Sequence, residues 1–483
     1  MVTAKSDDLI KVDYPYSIFW GLEQYCLMVT VSLIGCLSTM SSPIYFPALT
    51  DLSKSFHVES GIMNITLVAY LLFQGLIPSI SATIADSYGR KPVLLISMLI
   101  FIAACIAISQ TNAFWLLAVL RCFQAGGIAP VIAISSGIAG DVRPPATRGG
   151  FVGWVAGGQL IGNGFGSLIG AALIARWHTW RAIFVFLSII GGVAFVMAIF
   201  VLPETLRLIV GNGSIPPKKF FYKSIFLYLN YFKVKLTNDE DTKTKKQNLD
   251  FFSPFKMLFR KEIALTLIPS GLIFATWTMT LTTMGTELQS QYDYSIMHVG
   301  LIYLPQGIAC LVSTVVSGRV LNIYYRYRRK KYNKTIEDCK LSGESPSDFN
   351  VIRSRLDITI IPSFGVIAGL LIFGWCIQYK KHIISIIISS CMISIAASAA
   401  TTCTTTMLVD ISPGKASAAT ACLNIVRCWL AAAGSGALDA MVDAMGIGGT
   451  YSLLAGLNLL CQTILIIFII KCSHKLTFST TQS

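Results

Sequence analysis

The chain has 483 residues, 54% of them hydrophobic and only 13% charged, with a mean hydropathy of +0.65. A soluble domain carries about 25% charged residues, so half that density over this length points to lipid as the main solvent. The net charge of +14 does not mark a nucleic-acid binder, because the basic residues sit in loops between apolar blocks and line no single face. The thirteen cysteines are scattered, mostly inside apolar stretches, as at Cys36, Cys105, Cys391 and Cys461. They form no CxxC pair and read as small, soft packing residues, not as a disulfide framework or a metal site. No cofactor is expected.

In chain order, residues 1–24 form a polar tail of mixed charge, without the short apolar run of a cleavable signal. Blocks long enough to cross a bilayer, about 20 residues each, follow near 26–48, 61–85, 93–110, 114–139, 149–175 and 182–202. After a polar gap, six more lie near 263–286, 297–320, 356–379, 383–408, 416–440 and 450–471. Helices are the structure expected of them, since lipid cannot answer exposed backbone groups and barrel alternation is absent. Of the 38 Lys and Arg, 31 fall on the side of the N-terminus and only 5 on the other, namely Lys54, Arg176, Arg181, Lys380 and Lys381. That asymmetry places both termini in the cytosol and requires an even number of spans.

The central stretch 220–236 is apolar and aromatic but carries Lys223, Lys233 and Lys235. A crossing there would break the charge rule downstream, so it is expected to lie in the inner interface. Residues 251–260 read as a second interfacial element and 237–250 as a flexible link. The Asn-x-Ser/Thr matches at Asn64, Asn212 and Asn333 fall in a span or in basic loops and read as chance matches. The expected fold class is an all-α polytopic membrane protein of twelve transmembrane helices in two six-helix pseudo-symmetric halves. Its parts are a tail (1–24), an N-terminal half (25–203), a central loop (204–262), a C-terminal half (263–471) and a second tail (472–483).

Two loops echo each other across the halves. Ala82-x-x-x-Asp86 in the 2–3 loop answers Gly318-x-x-x-Asn322 at the start of the 8–9 loop. Asp141-Val-Arg-Pro144 in the 4–5 loop answers Asp410-Ile-Ser-Pro413 in the 10–11 loop. Such duplications rock around a site near the bilayer midplane.

Arg121 lies inside an apolar span, where an unpaired guanidinium is costly. It is expected to face a cavity or a partner, and Gln124 shares its face. Arg427 is the second intramembrane cation, with Asn424 on the same face. Gly158, Gly162, Gly166 and Gly170 recur every four residues and make a smooth packing stripe. Polar or aromatic residues in otherwise apolar spans are cavity candidates: Tyr70 with Gln74, Gln159 with Asn163, Trp277 with Thr280, and Tyr303 with Gln306. A mixed aromatic and amide lining suits amphiphilic organic molecules, and ordinary packing is the competing reading for each residue. No acidic residue stands at mid-depth of span 1. Asp51, Glu287 and Asp439 are peripheral, so the residues themselves show no proton carrier.

Several strings resemble the major facilitator superfamily. Ile84-Ala-Asp-Ser-Tyr-Gly-Arg-Lys91 is similar to its signature loop, with Asp86, Gly89, Arg90 and Lys91 matching. Leu117-x-x-x-Arg121-x-x-Gln124-x-Gly126-Gly127 resembles its span 4 motif. Gly162-x-x-x-Gly166-Ser167-x-x-Gly170 resembles its span 5 antiporter motif, with Ser167 where Pro is usual. Trp180-Arg181 and Leu202-Pro-Glu-Thr-Leu-Arg207 flank span 6 in the same manner. Further strings, among them Pro43-Ile-Tyr-Phe-Pro-Ala48 and Gly300-Leu-Ile-Tyr-Leu-Pro305, are similar to the fungal twelve-span drug:proton antiporters. The branch with quinidine-resistance, amino-acid-exporting and dityrosine-exporting members fits best.

The resemblance implies a conformational latch in which Asp86 faces the N-terminal end of span 11, near Ser417, and Arg90 pairs with Asp141. It implies that the span 5 glycines pack between the halves. It also implies a monomeric plasma-membrane exporter of small organic compounds (drug-like cations, weak acids or amino-acid-derived solutes) that works by proton antiport, with protons, substrate and bilayer as its partners. Two other readings stay open on the residues alone: a proton-independent facilitator or uptake permease of the same fold, and a non-transporting membrane sensor. A primary pump is disfavoured by the lack of a GxxxxGK[ST] loop. An enzyme is not expected, since no His/Asp/Glu cluster has metal or acid–base spacing.

Overall fold

The computed structural model describes residues 16–19, 21–143, 148–217, 222–224, 253–342, 351–411 and 416–471. The expected interfacial stretch 220–236 and link 237–250 lie almost wholly outside them. Ten described helices are long and apolar enough to cross a membrane. One of these, Ala416–Lys471, holds two spans that meet at Gly446, whose φ of 71° breaks the helical backbone. The 30-residue helix Arg148–Trp177 adds another, which gives the expected twelve among the described residues.

Span 1, Leu22–Met40, runs through a 3-10 turn at Pro43–Ala48 into Leu49–Phe56. Span 2 is Ser60–Tyr88 and span 3 is Arg90–Gln110. The turn between them is the single residue Gly89, at φ 113°, a backbone state that glycine adopts without a Cβ penalty. Span 4 is built of Phe114–Ile128 and Pro130–Val142, the proline starting the second piece, where its missing N–H costs least. Span 5 is Arg148–Trp177 and span 6 is Arg181–Val201. In the second half, span 7 is Lys261–Ser290, span 9 is Ile360–Gln378 and span 10 is Ile383–Ile411. Span 8, Ile296–Ser342, is 47 residues long. Its hydropathy block ends near residue 320, but the helix continues through the basic stretch beyond, because Lys and Arg are good helix formers and no Gly or Pro interrupts them.

The helices are apolar on all sides, as lipid contact requires. Span 6 buries Ile183, Phe184, Leu187 and Ala194 and turns Val185, Ile189, Val193 and Val196 outward. Hydroxyls inside spans bond back to their own helix: Thr278 donates to the Phe274 carbonyl at 3.0 Å and Thr280 to the Thr276 carbonyl at 2.8 Å. Such back-bonding satisfies a polar group without water. Spans 2 and 11, and spans 5 and 8, run beside each other across the seam between the halves.

Close approaches rest on glycines. A Cβ added at Gly127 would stand 2.5 Å from the Phe101 backbone nitrogen, whereas one at Gly192 would meet nothing within 4 Å. Gly127→Ala is therefore expected to force spans 3 and 4 apart and cost about 1–3 kcal/mol, read as a lower Tm of the purified protein. Gly192→Ala should leave Tm unchanged, and equal Tm values for the two variants would refute this packing.

Candidate functional site

Among the described residues four charged constellations stand out: one in each half at the end of the helices that holds Asp86 (the latch end), and two inside the spans. At the latch end Arg90 is buried where spans 2, 3 and 4 converge. Its guanidinium contacts Asp86 at 3.0 Å and is also bonded to Asp141. Asp141 lies in the last turn of span 4, inside the helix and not in the loop after it. Gly137 makes the room, since a Cβ there would overlap the Arg90 guanidinium at 1.7 Å. The start of span 11 at residues 412–415, and the side chains of 416 and 417, lie outside the described residues, so the expected contact from Asp86 falls there.

Glu204, just past span 6, binds this latch from beneath. Its carboxylate accepts the backbone N–H of Arg90 at 2.9 Å and of Lys91 at 3.2 Å, the first exposed donors of span 3. It also accepts Thr205 N–H and Leu206 N–H, each at 2.9 Å. Burial pushes the Glu204 carboxyl up, and these N–H groups pull it back. Tyr222 donates to the Tyr88 carbonyl at 2.8 Å, and Lys91 Nζ donates to the Ile199 and Lys223 carbonyls at 2.7 and 2.6 Å. Arg207 donates to the Asp141 carbonyl at 3.0 Å and to the Tyr16 carbonyl at 2.7 Å and stacks 3.7 Å above the Tyr16 ring. The signal for Glu204 was the Leu202–Arg207 string, which names the residue but not its partners.

The C-terminal half repeats the pair. Arg355 Nε donates to Asp410 Oδ2 at 2.8 Å, and its guanidinium lies 4.0 Å from the Tyr325 ring centre. Asp410 sits in the last turn of span 10 as Asp141 does in span 4. Sequence reasoning found the aspartate through the loop echo but missed Arg355, which lies well beyond the aligned Asn322 because the 8–9 connection is longer.

Within the N-terminal half Arg121 is fully buried at 0% exposure. It faces partners, not open space. Its guanidinium is clamped between the rings of Tyr45 and Tyr70, at 4.1 and 4.2 Å. One nitrogen donates to Gln124 Oε1 at 2.7 Å, while Nε and the second terminal nitrogen have no hydrogen-bond partner. Two desolvated cation–π contacts, about 2 kcal/mol each, stand in for a counter-ion. Tyr45 is held by Thr66, hydroxyl to hydroxyl at 2.7 Å.

At the seam Asn424 of span 11 donates to the Gln74 carbonyl of span 2 at 2.7 Å and accepts from Arg427 at 2.7 Å. Arg427 rests 4.4 Å over the Phe274 ring. Trp277 packs edge-on against Phe274 and donates to Ser394 at 2.8 Å. The structure thus gathers Gln74, Asn424, Arg427 and, by way of Phe274, Trp277. It sends Tyr70 into the Arg121 clamp and buries Thr280 against its own helix. Tyr303 donates to the Leu281 carbonyl and stacks on Phe46, and Gln306 is buried. The surroundings of Gly158, Gln159 and Asn163 lie outside the described residues.

The span 5 glycines require a correction. Added Cβ atoms at Gly162, Gly166 and Gly170 would meet the Cys36 carbonyl at 2.1 Å, Pro43 at 2.9 Å and the Ile44 carbonyl at 2.3 Å. The stripe therefore packs on span 1 of its own half and not between the halves. The crossing contact uses the neighbouring face, where Gly300 of span 8 sits against Ala171. Ser167, at the usual proline position, donates to the Pro43 carbonyl at 2.8 Å. That bond ties span 5 to the 3-10 turn after span 1.

At the far end, opposite the latch, the described residues of the two halves touch at several places, three of them as follows. Gly285 lies against the Phe46 carbonyl, beside a bond from Gln289 to the Pro47 carbonyl at 3.2 Å. Asn64 donates to Asp439 at 2.8 Å, and Gly300 meets Ala171. No group of three or more His, Cys, Asp and Glu that could hold a metal occurs among the described residues.

Two helical halves that meet along a polar seam, with a buried charge cluster at one end, define a polytopic α-helical transporter. The chain belongs to the major facilitator superfamily, whose family model matches residues 31–333. It is 54% identical to the MFS antiporter QDR2 of Candida albicans over 96% of this chain and 92% of that protein. It is 37% identical to quinidine resistance protein 1 of Saccharomyces cerevisiae, over 96% of this chain and 86% of the relative. The crystal structure of the human organic anion transporter MFSD10 (TETRAN) shares the fold, with a TM-score of 0.59 at 14% identity, over 92% of this chain and 99% of that one.

Glu204→Ala should leave the span 3 N–H groups without an acceptor and cost about 2–3 kcal/mol, seen as a fall in Tm, and Glu204→Gln should recover part of it. An unchanged Tm in both variants would remove Glu204 from the latch.

Proposed function

We propose that this protein exports small organic compounds of the quinidine type by proton antiport, as a monomer in the plasma membrane with both termini in the cytosol. The observation that carries the reading is the polar and aromatic seam of Gln74, Asn424, Arg427, Phe274 and Trp277, which lies between a closed far end and the latch end. Its rings suit the apolar body of an amphiphilic solute and its amides the polar groups. The relatives called antiporters and quinidine-resistance proteins support the substrate class and the coupling to protons. The 31-to-5 distribution of basic residues supports the orientation.

In this reading the far end faces outward and is shut. Opening it breaks the Asn64–Asp439 and Gln289–Pro47 contacts while Asp86 closes on span 11, a rocking of two packed bodies. Arg121 acts as a buried fixed charge that biases proton occupancy of the N-terminal half, and Gln124 positions it. Asp86, Gly89, Arg90 and Asp141 form the latch. The protein carries solutes and has no catalytic role.

Reconstituted in vesicles, the protein should drive quinidine uphill when a pH gradient is imposed. Downhill movement indifferent to pH would favour a facilitator, and no movement of quinidine or other organic ions would favour a sensor. Arg121→Lys replaces a planar cation that fits between two rings with a compact one. It should lower transport at least tenfold while Tm stays near wild type, whereas Tyr70→Phe, which keeps the ring, should retain most transport. A wild-type rate in Arg121→Lys would contradict the assigned role.

A further inference from the structure

The lipid-facing stripe of span 8 does not end where its apolar residues end. Leu301, Ile308, Val312, Val315 and Val316 are exposed on one side of the helix, the side that meets acyl chains. The same side continues, at spacings of three and four, through Arg319, Ile323, Arg326, Tyr327, Lys330 and Lys334. Residues four and seven apart share a helix face, and all six are exposed. The opposite side is occupied: Leu321 is buried, and Tyr324 donates to Asp357 at 2.8 Å. Between residues 319 and 334 the sequence has seven Lys and Arg and no Asp or Glu.

From Ile296, about 20 residues at 1.5 Å each cross the hydrocarbon, so the stripe changes character where the headgroups begin. Arg319 to Arg326 rises about 10 Å along the axis, the depth of a headgroup layer plus the reach of an arginine side chain. Ile323 is 68% and Tyr327 60% exposed, apolar bodies set among four cations. That mixture fits an anionic headgroup layer, where amphipathic side chains and cations are both accommodated.

We propose that this extension of span 8 is a binding stripe for anionic phospholipid of the inner leaflet. Arg319 and Arg326 hold the headgroup phosphates, Lys330 and Lys334 add attraction from just beyond them, and Ile323 and Tyr327 lie among the headgroups. Continuity with the lipid-facing side singles out lipid as the occupant, and charge complementarity singles out its sign. The placement on the inner leaflet rests on the cytosolic orientation given above. The binding itself does not depend on it or on transport.

Native mass spectrometry of the purified full-length protein, titrated separately with phosphatidylcholine, phosphatidylserine and a phosphoinositide, tests this. The wild type should retain the anionic lipids at least tenfold more than phosphatidylcholine, and R326Q/K330Q/K334Q should bring that ratio close to one. K380Q/K381Q, which removes two charges from the far end, should leave it unchanged. Arg326→Lys, which keeps the charge, should keep most of the retention and guards against loss through misfolding. Equal retention of the three lipids by the wild type, or undiminished anionic retention in the triple variant, would overturn the proposal. So would an equal loss in K380Q/K381Q.

Discussion

A cation held away from water has to be answered by protein groups, and three of this chain's cations are answered in three different ways. Arg90 at the latch end has two carboxylates. Arg427 has an amide and the face of a phenylalanine. Arg121, fully enclosed, has two tyrosine rings and one amide oxygen. In each case the partners come from different spans, so meeting the charge ties the helices together. Tyr45 comes from the 3-10 turn after span 1, Tyr70 from span 2 and Gln124 from span 4, which makes the Arg121 clamp a pin through three elements of the N-terminal half. The ring clamp leaves two guanidinium nitrogens without a hydrogen bond, a charge held by π-faces and free to act on what comes near.

The halves are each bound tightly within themselves and also pack on each other along spans 2 and 11 and along spans 5 and 8. Gly162, Gly166 and Gly170 press span 5 onto span 1, and Gly127 presses span 4 onto span 3. Alongside that packing, polar bonds such as Asn424 to Gln74 and Asn64 to Asp439 cross the seam. The repeated pairs Arg90–Asp141 and Arg355–Asp410 fasten the latch end of each half separately, so rocking does not have to break them.

Much of the fold was legible in the sequence because hydropathy and basic-residue asymmetry report directly on the solvent around each segment. The Arg90–Asp141 pair was legible only through the family resemblance, which implies that the two residues meet. The clamp around Arg121 was not, since Tyr45 and Tyr70 reach it from other spans and helical periodicity speaks only within one helix. Gly137 and Glu204 were hidden for the same reason: their value is the space or the acceptor they give to Arg90. The direction of the span 5 stripe was misread because a row of glycines shows that something packs closely but not which neighbour does. The long reach of span 8 was missed because hydropathy ends at Arg319 and helix propensity does not.

The central claim is that the far end is a closed gate that has to open in every cycle. Gly436 of span 11 lies against Val68 of span 2 near that end, an added Cβ standing 3.3 Å from a valine methyl. Cysteines at these two positions, in a background without other reactive thiols, are close enough to be bridged. Transport of quinidine by the reconstituted double variant is the most direct measurement. Oxidation should stop it and reduction should restore it. Transport that continues at full rate with the bridge formed would contradict the account.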